Sequence, residues 1–75
     1  MATVDVVPRA DGEGAVGDAA KQWGSVGTKQ LVIGKTETPV NASATGTKGT
    51  IVWDTDFVYI CTATDTWKRS ALSTW

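Results

Sequence analysis

Apolar positions are sparse through the first two thirds of the chain and gather in its last third, GTKGTIVWDTDFVYICTATDTWKRSALSTW, from Gly46 to Trp75. Residues 50–54 (TIVWD) and 57–62 (FVYICT) are short runs of β-branched and aromatic side chains, joined through Asp54-Thr55-Asp56. Such side chains suit a pleated, half-buried surface, and an Asp at the joint can hydrogen-bond its own backbone to make the turn. A second polar joint, Ala63-Thr64-Asp65-Thr66, leads into residues 67–72 (WKRSAL). The pattern predicts a three-stranded antiparallel meander. Alternation puts Ile51 and Trp53 on one face of the first strand, and Phe57, Tyr59 and Cys61 on one face of the second. Val58 and Ile60 occupy the other face, so the central strand is apolar on both sides and calls for cover on both. The N-terminal segment with Trp23 is the expected cover on one side, and another protein chain on the other.

Upstream the pattern is weaker. Residues 3–7 (TVDVV) read as a short strand or extended arm ended by Pro8, which offers no N–H to a ladder. Residues 9–17 hold three glycines and read as turns. Residues 18–23 (DAAKQW) predict one to two helical turns, capped by Asp18 and stopped by Gly24. Residues 30–33 (QLVI) are a further strand candidate. Residues 35–49 (KTETPVNASATGTKG) are polar, small and without a period, as in linkers and in arms lying over a partner. The expected organisation is an arm, glycine turn and short helix or strand over 1–34, a polar linker or docking strap over 35–49, and a Trp-rich β-meander over 50–75. The fold class is mainly β: a small antiparallel meander or hairpin unit with extended arms and at most one short helix.

Size sharpens this picture. A 75-residue chain buries only about 60% of the surface it exposes unfolded, and small folds usually need a disulfide, a metal or association. One Cys makes no internal disulfide, and one Cys without His is a poor zinc site. Association is the remaining source of stability. Net charge is −1 with the seven Lys and Arg scattered, so no basic stripe exists for a nucleic acid. No apolar run approaches the roughly 20 residues of a membrane span, and the N-terminus has no signal-peptide pattern.

Several motifs suggest chemistry and fail on spacing or context. Gly12 to Gly17 matches GxGxxG, yet Pro8–Asp11 separates the glycines from the nearest strand and the following helix is too short for a dinucleotide site. Gly34-Lys35-Thr36 resembles the end of a phosphate loop, but the required earlier glycine is Lys29. Asp54 and Asp56 are a carboxylate pair of the kind found in glycosidases or cation sites, though Asp-Thr-Asp between strands first suggests a turn. Asn41-Ala42-Ser43 is a formal glycosylation sequon. Cys61 sits in an apolar run with no His in the chain to activate it, and reads as packing. Lys68-Arg69 suits solvent, an acidic partner or an aromatic ring. Trp53, Trp67 and Trp75 suit packing or subunit contact, with sugar binding as the other use of a tryptophan on a β unit. No catalytic, cofactor or metal residue is expected.

Residues 6–26 (VVPRADGEGAVGDAAKQWGSV) resemble a recurring segment of bacteriophage tail-fibre and other virion surface proteins, in which a Pro-Arg-Ala-Asp turn with glycines leads to Lys-x-Trp-Gly. Residues 46–75 resemble a segment at the C-termini of phage structural proteins, with a Trp-Asp turn, a Tyr-x-Cys strand and a Thr-Trp-Lys-Arg tail. The resemblance implies a non-enzymatic, β-rich virion component, commonly trimeric and exposed on the particle. Tail fibres are long, so a 75-residue chain fits a capsid decoration or cement protein that bridges capsid subunits. The partners would be the major capsid protein and further copies of the chain in a homotrimer. The location would be the capsid surface after synthesis in the host cytoplasm. The interface residues expected on this reading are Trp23, Trp53, Phe57, Tyr59, Trp67 and Trp75, with the 35–49 arm as docking strap. The alternative is a tail-fibre or spike component recognising host surface polysaccharide.

Overall fold

A computed structural model describes residues 5–75. Three strands, β1 (Ile51–Trp53), β2 (Phe57–Ala63) and β3 (Thr66–Ala71), form one antiparallel sheet in sequence order. This is the expected meander, and each strand lies within about a residue of its predicted limits. Asp54 makes the first turn as its chemistry predicts. Its backbone N–H donates to the Phe57 carbonyl at 2.9 Å, and its Oδ1 accepts the N–H groups of Asp56 and Phe57. The second turn places Asp65 in the left-handed region, at φ 54°, where the β2–β3 register slips by one residue. A left-handed residue beside such a slip is a common way to close a short hairpin, and Asp is one of the few side chains that tolerate it.

Register fixes the two faces. Val52 pairs with Tyr59 and Tyr59 with Arg69, while Cys61 pairs with Trp67. Residues paired across an antiparallel ladder share a face, so Val52, Phe57, Tyr59, Cys61, Trp67 and Arg69 lie together. That face holds the core: Val52, Tyr59 and Cys61 are the buried apolar residues. Ile51, Trp53, Val58 and Ile60 occupy the other face, where Ile51 and Ile60 remain 52% and 42% exposed.

The core is covered by the segment expected to reach a neighbour. Residues 37–49 fold back over the sheet of their own chain. Glu37 N–H donates to the Trp53 carbonyl at 2.9 Å on the outer side of β1. On the outer side of β3, Trp67 N–H donates to the Ala42 carbonyl at 2.8 Å. Trp67 also gives its indole N–H to the Ala44 carbonyl at 3.0 Å. Gly46 and Asp65 clasp each other, Asp65 N–H to the Gly46 carbonyl and Gly46 N–H to Asp65 Oδ1, at 3.0 and 2.9 Å. The docking strap is therefore an intramolecular lid. A polar segment without a period suits this role, because its turns and bonds are made to a sheet rather than within a helix or ladder.

Other upstream expectations are corrected. Thr3 and Val4 of the expected first strand lie outside the described residues, and residues 5–7 belong to no strand. No helix forms over 18–23: Asp18 Oδ1 does accept the N–H groups of Ala20 and Lys21, but Asp18 N–H donates to the Lys21 carbonyl. That bond runs from an N–H to a carbonyl three residues later, opposite in direction to a helical bond, and closes a loop instead. Residues 30–33 form no strand either; Leu31 and Val32 are exposed, and the Ile33 carbonyl accepts the Trp53 indole N–H at 2.8 Å. Trp23 covers no sheet face. It is 70% exposed and borders a separate hollow with Val16, Gly17, Asp18, Gln22 and Val26.

Candidate functional site

The lid and the core face enclose a cleft of about 320 Å³, lined by Thr38, Pro39, Val40, Asn41 and Ala42 from the lid and by Tyr59, Trp67, Lys68 and Arg69 from β2 and β3. That volume falls at the lower end of small-molecule sites, roughly 300–1,000 Å³. Each wall is held in place. Asn41 Oδ1 accepts the Ser43 N–H at 2.8 Å and its carbonyl accepts Ala44 N–H at 3.2 Å, which turns the lid back on itself. Trp67 is fixed by its two bonds to the lid and by Gly46, which lies flat against its ring: a Cβ added at Gly46 would fall 2.6 Å from the indole. Only a glycine permits that approach.

Asp54 ties the lid to the sheet. Its Oδ2 accepts the Thr38 hydroxyl at 2.7 Å and the Tyr59 hydroxyl, while Oδ1 serves the turn. A carboxylate has about four lone-pair sites, and here four donors fill them. These donors, Tyr59 first and Thr38 next, hold its carboxyl well below the usual carboxylate range. The same bond, with burial and the Asp54 charge, pushes the Tyr59 phenol up. Asp54 is thus held ionised, with its oxygens engaged by turn, core and lid. It forms the turn, as the turn reading predicted. Among the described residues no three His, Cys, Asp or Glu side chains gather to hold a metal ion.

Arg69 stands at the cleft with its guanidinium over the Phe57 ring, 4.2 Å from the centroid. Phe57 in turn lies 5.8 Å from Tyr59, with the rings tilted by 43°. Among the described residues Arg69 has no carboxylate within ion-pair distance; the one such pair found there is Arg9–Glu13. Arg69 is the basic side chain on the covered face, since Lys68 pairs with Ile60 on the reverse one, and no acidic residue lines the cleft, in a chain whose net charge is −1.

The six residues expected at an interface separate into three groups. Phe57, Tyr59 and Trp67 come together on the covered face, Tyr59 as core and Trp67 as a half-buried wall of the cleft. Trp53 lies half-buried on the opposite face, held by Ile33. Trp23 and Trp75 stand apart and exposed. Contact with an aromatic ring was one of the three uses that the sequence allowed Lys68-Arg69, beside solvent and an acidic partner, and Arg69 makes it. Thr38 and Asn41 were not legible as site residues, since nothing local in the sequence marks which part of a polar arm will lie on the sheet. Gly12, Gly14 and Gly17 all have positive φ and serve as turns. Cys61 is fully buried, with its thiol directed at the Ala63 carbonyl at 3.0 Å.

Similarity to known proteins bears on function. The chain is 43% identical over 68 residues to "Depolymerase 1, capsule K30/K69-specific" of Klebsiella phage K5-2, a match covering 84% of this chain and 8% of that protein. It is 44% identical over 41 residues to "Depolymerase, capsule K30/K69-specific" of Klebsiella phage K64-1, covering 55% of this chain and 5% of that protein. The chain thus spans less than a tenth of the length of these relatives. No family model matches the chain, and no solved structure matches it. The expectation of a component unconnected with enzymes is corrected by these matches, because both relatives are named depolymerases, which are enzymes. Both are phage proteins, in keeping with the resemblance to phage virion surface proteins. Neither speaks for a capsid cement protein, and a tail-fibre type of component fits them better.

Proposed function

We propose that this chain is a β-meander module of a tail-fibre or spike-type capsule depolymerase of a phage virion, and that it contacts host capsular polysaccharide. The observation that carries the reading is its similarity to two capsule-specific depolymerases. The cleft supports it physically. Trp67 and Tyr59 offer apolar walls, Thr38 and Asn41 bring polar groups, and Arg69 adds a cation. Apolar walls with a few oriented polar groups are what a sugar ring, apolar on its C–H faces and polar at its rim, requires. Depolymerisation is then an activity of the whole particle-borne assembly to which the module belongs.

The test is binding of the labelled chain to encapsulated Klebsiella of the K30/K69 capsule types, compared with capsule-deficient mutants of the same strains. Capsule-dependent binding is expected. Equal labelling of both kinds of cell would overturn the reading.

A further inference from the structure

We infer that the cleft is a site for a carboxylate-bearing sugar, with Arg69 as its ion partner; this rests on the polysaccharide reading above and narrows it to acidic chains. Three observations on different parts of the cleft converge. First, its lining carries Arg69 on the covered face and no acidic residue, although Asp and Glu outnumber Lys and Arg in the chain, eight to seven. Second, Asp54, the carboxylate that bonds to the Tyr59 wall, turns its oxygens to four other donors and forms no ion pair with Arg69. Third, Arg69 is held against an aromatic ring, its guanidinium carbon 4.2 Å from the Phe57 centroid, and among the described residues it has no ion-pair partner.

A guanidinium presents its N–H groups at its edge in a planar fork that matches a carboxylate with two parallel bonds. Phe57 offers the guanidinium no acceptor oxygen, so its N–H groups stay available to a ligand. Holding the group against the ring beforehand reduces the side-chain entropy that binding would otherwise cost. Burial of Tyr59 and the lid bonds of Trp67 give the sugar ring a firm wall beside this cation. A neutral sugar would use the wall and leave the cation unanswered. A uronate uses both.

The test is calorimetric titration of the full chain with oligosaccharides from a glucuronate-bearing Klebsiella capsule, and with the same preparation after its carboxyl groups have been reduced to hydroxymethyl. The native acidic oligosaccharide should bind at least tenfold more tightly than the reduced one, and added salt should weaken only the former. Arg69→Gln should remove the difference, while Arg9→Gln, which alters a cation outside the cleft, should keep it. Equal affinity for acidic and reduced oligosaccharides would overturn the carboxylate site and leave the polysaccharide reading standing. Binding of neither would overturn both. Because the comparison of ligands is made on the unaltered chain, the outcome does not depend on whether Arg69→Gln folds.

Discussion

The Tyr59 hydroxyl donates to Oδ2 of Asp54, joining the middle of β2 to the turn that precedes it. Thr38 donates to the same oxygen from the lid. One carboxylate thereby connects turn, core and lid, and its charge state governs all three.

The sign of the resulting pH dependence follows from the direction of each shift. The folded-state Asp54 carboxyl is held below its ordinary value, so its contribution is complete above the unfolded pKa, about 3.9, and is lost as pH falls below that. Tyr59 is shifted upward, so its contribution is complete below the unfolded pKa, about 10, and is lost as pH rises above that. Thermal unfolding should therefore show a plateau between about pH 5 and 9 with a fall on each side. Asp54→Asn should lower Tm at pH 7 and flatten the acid limb, while Tyr59→Phe should flatten the alkaline limb. Acid and alkaline limbs unchanged in the two variants would contradict this assignment.

Gly46 tests the lid from its tightest point. An alanine methyl there would fall 2.6–2.8 Å from three atoms of the Trp67 indole, so the ring or the lid must move. Overpacking of this kind costs about 1–3 kcal/mol. Gly46→Ala should lose that much in urea unfolding and should speed amide exchange at Trp67, whose N–H is held by Ala42. An Ala variant as stable as the parent, with Trp67 still protected, would show that the lid does not lie against this ring.

The meander was legible because its signals are local. β-branched and aromatic runs, an Asp at each joint and period-2 alternation all lie within a few residues, and Asp54 and Asp65 close the turns with their own side-chain chemistry or backbone tolerance. The lid was not legible, since the groups that hold it lie 16 to 23 residues from their partners: Thr38 on Asp54, Gly46 on Asp65 and Ala44 on Trp67. A polar arm looks the same in sequence whether it docks on its own sheet or on another chain. The apolar character of both faces of β2 was read correctly from residues, but one cover was misassigned. Lid residues and not Trp23 lie against Tyr59, while Ile60 on the reverse face keeps substantial exposure.

Trp67→Phe separates the ring from its hydrogen bond. Phenylalanine keeps an aromatic wall but has no indole N–H for the Ala44 carbonyl. The loss should be about 1 kcal/mol for the bond, plus a smaller packing cost. Trp67→Ala removes the wall as well and should cost about 3 kcal/mol, the low end for Trp truncation because the side chain is half-buried. Chemical denaturation of the two variants against the parent measures both steps. Equal losses in the two would mean that the ring contributes nothing beyond its N–H.

Asp65 has two duties that substitutions can separate. Its backbone is left-handed, at φ 54°, and its Oδ1 accepts the Gly46 N–H at 2.9 Å. Asn tolerates the left-handed region and retains an acceptor oxygen, so Asp65→Asn should stay within about 0.5 kcal/mol of the parent. Glycine relieves the backbone and removes the acceptor, and the two changes oppose each other at about 1 kcal/mol apiece. Alanine keeps the backbone strain and removes the acceptor, so Asp65→Ala should lose about 1 kcal/mol. Urea unfolding should leave Asn and Gly near the parent and place Ala below both. Amide exchange at Gly46 should be fast in both the Gly and Ala variants and slow in Asn, because only Asn retains a side-chain acceptor there. If Ala equals Gly in stability, the left-handed turn is not under strain; if Gly46 exchanges slowly in all three, the clasp is held by the Asp65 N–H to Gly46 carbonyl bond alone.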